Sequence, residues 1–320
     1  METNSKRMKV AIVGAGTIGL YLAWKLAEKG YKVTVFERRA KVGEKPCSSL
    51  ISERLKDFIP LEKSTVTNRI KSFVIHFPRK DIILNLKTRH LVINRKKLDE
   101  SLLEFSQKAG VQIKFNKFIS KIPEGFDRVI GCDGALSKIR DCLFLPRPYF
   151  RQGIFFRIPG QNFSFQVETW PLKSGFLWKI PRGKEVEYGG IGKVSLIKKG
   201  FEEFYLKQKI SISETKLKIS LIPQGLIIPK TKDITLCGDS MGLTKPWSGG
   251  GIIWGLKASN ILLDNFPNFE KYHRKVKSFF RLKIIKGKLL NSLVYFFGNN
   301  FPFLLPKEVK WDNDFASFSN

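Results

Sequence analysis

The chain has 320 residues, enough to bury a sizeable core in two domains or one large one. An apolar fraction of 42%, with 27 phenylalanines, excludes intrinsic disorder, and no segment offers the roughly 18 clean apolar residues of a spanning helix. Against 28 Asp+Glu stand 57 Lys+Arg, a formal charge of +29 that attracts phosphate-bearing partners without choosing among nucleic acid, anionic lipid and diphosphates.

The opening "METNSKRMKVAIVGAG" runs from basic residues through a short apolar stretch straight into glycines, unlike a secretory leader. The segment that follows, "KVAIVGAGTIGLYLAWKLAEKGYKVTVFE", reads as strand, glycine turn, helix and second strand. Val10 to Val13 form a short run rich in β-branched residues, and Ile18, Leu22 and Leu26 recur at helical spacing before Gly30. Gly14, Gly16 and Gly19 fit Gly-x-Gly-x-x-Gly: the first permits a tight turn, the second lets backbone approach a pyrophosphate, and the third brings helix against strand. The helix N-terminus supplies amide donors, and Glu37, with Arg38 beside it, ends the second strand where a carboxylate can accept bonds from ribose hydroxyls. This unit predicts a dinucleotide site and leaves NAD and FAD open.

Next comes "EKPCSSLIS" (44 to 52), which carries Cys47. "NRKKLDESLLEFSQKAG" (94 to 110) predicts a helix begun near Arg95, with Leu98, Leu102, Leu103 and Phe105 apolar, Asp99 as a helix-start carboxylate and Gly110 as the stop. Two β-branched runs then end in acidic glycine turns, "RVIGCDGALSKIR" (128 to 140, Asp133) and "ITLCGDSMGLTKPWSGGGIIWGLKAS" (234 to 259, Gly238 and Asp239). Gly249, Gly250 and Gly251 open a further helix at Ile252, whose amide end can face a pyrophosphate or an electron-rich ring edge. Between those turns, "GIFFRI", "FSFQVETW", "GFLWKI", "VEYGGIGKV" and "KLKISLI" alternate or run β-branched, predicting an antiparallel sheet. Aromatics there could fill the sheet's own core or line a lipid tunnel.

The stretch 271 to 288 holds eight Lys/Arg and no acid, with Tyr272, Val276, Phe279 and Phe280 on one helical face. That pattern suits a helix lying on an anionic membrane, or one capping the first domain. The apolar stretch 289 to 306 reads as a core or interfacial element. Cys132, Cys142 and Cys237 sit in core-like runs. Together with Cys47 and with His76, His90 and His273 they form no metal constellation, so no metal is expected and a cytoplasmic protein, peripheral at most to the inner membrane face, is. Nucleic-acid binding would need a recognition helix or stacking platform that the sequence lacks, so no nucleic acid is expected either.

The glycine loop, the Asp-Gly turn and the Gly-Asp turn together resemble the three fingerprints of the FAD-dependent oxidoreductases built like para-hydroxybenzoate hydroxylase. The resemblance implies FAD as the tightly bound cofactor, Asp239 on its ribityl hydroxyls and Arg95 beside its phosphates or ribityl chain. A narrower resemblance is to the geranylgeranyl reductase family, carried by "EKPCSSLIS", by "FLWKIP" (176 to 181) with "GIG" (190 to 192), and by "GDSMGLTKPWSGGGI". It departs at Phe176 and Ile180, where the family favours Tyr and Phe, and at Ser48 and Ser49, where glycines are common. The resemblance implies reduction of isolated double bonds in polyprenyl lipids or their diphosphates, with NAD(P)H or a ferredoxin-like protein as electron donor. Cys47 would be a proton donor or positioning group, since thiols as a class keep their proton near neutral pH. Phe176, Trp178, Pro181, Gly190, Gly192 and Trp247 would contact substrate. An aromatic monooxygenase using FAD and NAD(P)H is the alternative, disfavoured because no histidine follows the Gly-Asp turn. The expected architecture is α/β: a Rossmann-type FAD domain (8–62, 95–148 and 228–268), an inserted antiparallel-sheet substrate domain (63–94 and 149–227) and a basic helical C-terminal segment (269–320).

Overall fold

The computed structural model describes residues 7–208, 216–315 and 317–319. The first six residues, on which the reading of the N-terminus rests, and 209–215 of the expected sheet domain lie outside the described residues.

In chain order, β1 (Lys9–Val13), α1 (Thr17–Glu28) and β2 (Lys32–Phe36) precede β3 (Leu50–Ser52) and the long hairpin β4 (Val66–Phe77) and β5 (Lys80–Ile93). The chain returns through α2 (Arg95–Lys108), β6 (Gln112–Lys114), β7 (Arg128–Gly131) and α3 (Lys138–Cys142). It then enters β8 (Tyr149–Asn162), β9 (Gln166–Leu172), β10 (Gly175–Pro181), β11 (Gly183–Gly192), α4 (Val194–Gln208) and β12 (Lys218–Gln224). Last come β13 (Ile234–Leu236), α5 (Ile252–Asn265), α6 (Phe269–Asn300), β14 (Glu308–Asp312) and β15 (Ser317–Ser319).

The strands form two sheets. The first is parallel, in the order β13-β7-β1-β2-β6. Val10, Ile12 and Val35 are fully buried, as expected of strands covered on both faces. The second sheet runs β12-β8-β11-β10-β9-β4-β5-β14-β15 with β3 beside β5, and only the β4/β9 and β5/β14 pairs are parallel. α4 packs Ile197, Phe201 and Phe204 on one face of it, against Phe156 and Tyr188. The opposite face is left to roof the first sheet's C-terminal edge, where ligands of open α/β sheets bind.

α6 takes the second of the two arrangements expected of it, capping the first domain. Tyr272, Val276 and Phe280 are fully buried and Phe279 is half-buried, so the face expected to meet a membrane is the face that holds the helix on the fold. The cause is α5, whose Trp254 needs cover and receives Phe280 at a ring distance of 5.2 Å. The helix continues for 32 residues because Gly287 fits under the Trp247 ring, where a Cβ would sit 2.4 Å from it. Beyond Asn300 the tail is extended: β14 adds to the second sheet and β15 pairs with β14. No helix among the described residues is long and apolar enough to cross a membrane.

Candidate functional site

Gly14 turns with φ +104°, and a Cβ there would lie 2.5 Å from the Cys132 carbonyl oxygen; a Cβ on Gly19 would lie 1.9 Å from the Gly14 oxygen. Both positions demand glycine, whereas Gly16 faces open space. The α1 N-terminus carries no side-chain cap, so its amides face the cavity that these residues line. Glu37 accepts from the Ala15 amide (2.8 Å) and the Arg39 amide (2.9 Å), which fixes the carboxylate at the loop and leaves it further acceptor capacity.

The second and third turns are tied together by the arginine that ends the Asp133 stretch, a residue to which the sequence alone assigns no role. Arg140, fully buried, donates to the Ala135 carbonyl (3.0 Å) and to the Ser240 carbonyl (2.9 Å), tying the Asp133 turn to the Asp239 turn. Asp133 accepts from the Lys138 (2.6 Å) and Ile139 (3.2 Å) amides through Oδ2. Its Oδ1 is buried with no hydrogen-bond partner among the described residues, and burial raises its carboxyl pKa against the pull of the Ser137 hydroxyl and of those amides. Asp239 is ion-paired to Lys45, and a Cβ on Gly251 would come 2.9 Å from its Oδ1. α5, like α1, starts without a side-chain cap.

Arg95 is not a solvated cation: its side chain is 11% exposed, and its Nε donates to both oxygens of Asp99 (3.1 and 3.0 Å). Asp99 also accepts from Thr17 Oγ1 at 2.6 Å, so it joins the glycine loop to Arg95. The expected helix-start role belongs instead to Asn94, whose Oδ1 accepts from the Lys96 and Lys97 amides. Burial alone would lower the Arg95 pKa, but Asp99, with Cys47 and Asp239 nearby, outweighs it and holds the guanidinium above its ordinary value.

These turns open into one continuous cavity of about 1790 Å³. Gly14, Gly16, Glu37, Arg38, Arg95, Asp133, Asp239, Gly249, Gly250, Gly251 and Ile252 line its polar end, with Cys47, Phe176, Trp178 and Trp247 also on its walls. Gly19 and Gly238 pack behind the walls, the latter at φ +74° against Ile18. Pro181, Gly190 and Gly192 do not line the cavity either. Pro181 is buried at the end of β10 with its carbonyl accepting from Asn68. A Cβ on Gly190 would press on Leu177 and Ile197 beneath α4, and Gly192 makes a turn against the Ser174 carbonyl. The glycine that shapes the roof is Gly189, which faces Trp178 across the β10/β11 pair and would drive a Cβ 2.2 Å from its indole.

Behind Cys47 lies a buried ionic cluster. Glu187, fully buried, accepts from Arg157 (2.9 Å), Trp178 Nε1 (3.1 Å) and Arg182 (3.4 Å). The same arginines hold the Cys47 segment: Arg157 donates to the Cys47 carbonyl at 3.2 Å, and Arg182 donates to the Ser48 and Ile93 carbonyls. Burial pushes the Glu187 carboxyl up and the Arg182 guanidinium down, and the attraction between them opposes both shifts. The Ser49 amide donates to Cys47 Sγ at 3.3 Å.

Known proteins bear on this arrangement at three levels. Residues 12–45 match the family of NAD(P)-binding Rossmann-like domains. A digeranylgeranylglycerophospholipid reductase of Methanothrix thermoacetophila is 23% identical over 80% of this chain and 76% of its own length. Among solved structures, a geranylgeranyl bacteriochlorophyll reductase-like protein of Thermoplasma acidophilum superposes with a TM-score of 0.73, at 18% identity over 90% of this chain and 87% of that one. A variant of the halogenase PltM in complex with FAD gives 0.69, at 13% identity over 92% and 78%. The orphaned Asp133 Oδ1, the open ground before Gly16 and two uncapped helix N-termini around one cavity suit a dinucleotide with a polar, anionic ring edge, and FAD has that chemistry.

Proposed function

We propose that this chain, which belongs to the FAD-dependent oxidoreductases of geranylgeranyl reductase type, saturates isolated double bonds in polyprenyl groups of isoprenoid lipids or their diphosphate precursors. The observation that carries this reading is the shape of the cavity. Ligand pockets commonly hold roughly 300–1,000 Å³. At about 1790 Å³ this cavity has room for a dinucleotide and for a second, elongated ligand. Its far end is apolar, walled by Phe73 and Leu84 of the hairpin, Phe155 of β8 and Leu290, Val294 and Phe297 of α6.

In this reading the Gly16 and Thr17 amides hold the pyrophosphate, Glu37 and Arg38 the adenosine ribose, and Arg95 and Asp239 the ribityl region. Asp133 takes a further hydroxyl, and the backbone of Gly249 to Ile252 faces the flavin ring. Bound and reduced, FAD supplies a hydride. Saturation also needs a proton at the neighbouring carbon, and no carbonyl is present to spread charge, so the acid must be placed and water kept out. Cys47 lies on the cavity wall, its backbone clamped by Arg157 and its Sγ accepting from the Ser49 amide. Arg95 lines the same cavity. Phe176 and Trp178 form the roof over the chain.

The test is anaerobic incubation of the purified, dithionite-reduced protein with a geranylgeranyl glycerolipid. The expected product gains two hydrogens per double bond in its mass, and Cys47→Ala lowers turnover by roughly 10²-fold or more, the usual reach of a positioned acid, with flavin content unchanged. An unaltered lipid, together with oxygen uptake in a separate aerobic assay with NAD(P)H and an aromatic ligand, would assign the chain to the monooxygenase chemistry of the same superfamily.

A further inference from the structure

The second half of α6 has two apolar faces. The inner face, Leu290, Val294 and Phe297, lines the cavity, and Tyr295 on the same helix donates to the Gly175 carbonyl at 3.2 Å. The outer face carries Leu282 (63% exposed), Ile285 (53%), Leu289 (61%) and Phe296 (54%), which recur at helical spacing as one stripe. The stripe runs on into Phe301, Phe303 and Leu304, all exposed, with Phe301 touching the rings of both Phe296 and Phe303. Folded proteins seldom leave so many large apolar groups contiguous in water without a partner for them.

Charge identifies the partner. Arg281 and Lys288 flank the stripe on one side and Lys286 on the other, all exposed, and Lys271, Arg274, Lys275 and Lys277 continue the basic surface towards the helix start. From Lys271 to Lys307 there is no acidic residue. An apolar ridge bordered on both sides by cations, on a helix that cannot span a bilayer, is the arrangement of a helix lying in the plane of an anionic membrane. A protein partner would have to match the ridge with a long apolar groove rimmed by acids. A bilayer of anionic lipids offers both features without shape matching, because its surface potential attracts basic residues and its acyl layer takes up apolar ones.

Leu293 joins the two faces: it is 44% exposed and also lines the cavity. We propose that the outer ridge of α6 is a docking surface for an anionic lipid bilayer, which sets the cavity mouth at Leu293 against the acyl layer so that an isoprenoid chain enters without crossing water. The surface stands on exposure and charge alone. Only the entry route rests on the prenyl-reductase reading, so vesicle binding and turnover can fail separately.

The experiment is co-sedimentation of the full-length, flavin-loaded protein with vesicles of phosphatidylcholine, with and without phosphatidylglycerol, at low and high salt. Expected is binding that requires phosphatidylglycerol and weakens with salt. It should fall at least about tenfold in the double substitution I285S and L289S, since both lose apolar area that the bilayer would bury. K286E with K288E should lose as much, while the charge-matched pair K198E with K199E, exposed on α4, should bind as the unaltered protein does. Equal binding to neutral and anionic vesicles would overturn the proposal. So would equal loss in the α4 pair, which would reduce the effect to net charge, or a ridge variant that converts a stable dimer to a monomer. Flavin absorbance reports folding of each variant, and the α6 charge pair decides the matter should the apolar pair be unstable.

Discussion

Cys47 is held from behind by Glu187, through two arginines that divide their donors between that carboxylate and the Cys47 to Ser48 backbone. Removing the carboxylate leaves two guanidiniums facing one another near the site. Glu187→Leu is therefore expected to cost roughly 3 kcal/mol, the low end for breaking a buried pair because Arg157 keeps some solvent contact, measured as a lower urea midpoint at unchanged slope. Glu187→Gln, which keeps hydrogen bonds to the arginines, should retain more of the stability; an equal loss would mean that the charge, which both substitutions remove, accounts for the whole effect. The sequence displays Cys47 and Arg95 through their places in recognisable stretches. It does not display Glu187 or Arg157, each of which reads locally as one more charged residue in a strand, and Lys45 and Arg140, though they lie in the Cys47 and Asp133 stretches, show no role there. Their partners lie far along the chain, and the pairing exists only once the sheets have met.

At the scale of elements, the glycine loop, both acidic turns, the β-rich middle and the basic helix all follow from periodicity and turn chemistry, because each is a local property. The end of the chain does not. After α6 it returns as β14, and its turn is clamped: Arg54 donates to Asp312 and Asp314 at 2.9 Å, Lys245 pairs with Asp314 at 3.2 Å, and Trp254 Nε1 donates to the Asp314 carbonyl at 2.7 Å. Asn313 accepts from Trp247 Nε1 and donates to His90 Nε2, both at 2.9 Å. A short extended run after a long helix carries no period strong enough to announce this. The clamp makes a pH prediction. Burial, reinforced by Lys245, lowers the His90 pKa from 6.5 to about 4 despite Asp314 and Asp312. The unfolded chain thus takes up the proton first, so stability is full above about pH 6.5 and is lost as pH falls towards 4, by roughly 3 kcal/mol. Burial would raise the Asp314 carboxyl, but Lys245, His90, Ser52 and Arg54 outweigh it and bring it to about 2, so its stabilising share is lost only between about 3.8 and 2. Unfolding midpoints of the parent and His90→Gln proteins should converge as pH drops from 7 to 4. Parallel curves would show that His90 is not the titrating group.

At the scale of the whole molecule, two sheets that are unremarkable singly enclose one cavity, polar where three turns meet and apolar where the large sheet and α6 close over it. The formal charge of +29 shows only that phosphates attract the chain. The fold gathers part of that charge around the cavity and part around an exposed apolar ridge. Neither grouping is visible in composition, because both depend on which face of α6 the core takes for itself. The claim beneath the whole account is that a flavin and a prenyl chain share this one cavity. Titrating the purified protein with a geranylgeranyl glycerolipid while recording its visible spectrum tests it most directly. The account predicts a yellow protein whose flavin bands shift saturably as the lipid is added. A colourless protein, or flavin bands indifferent to the lipid and moved instead by small aromatic ligands, would contradict it.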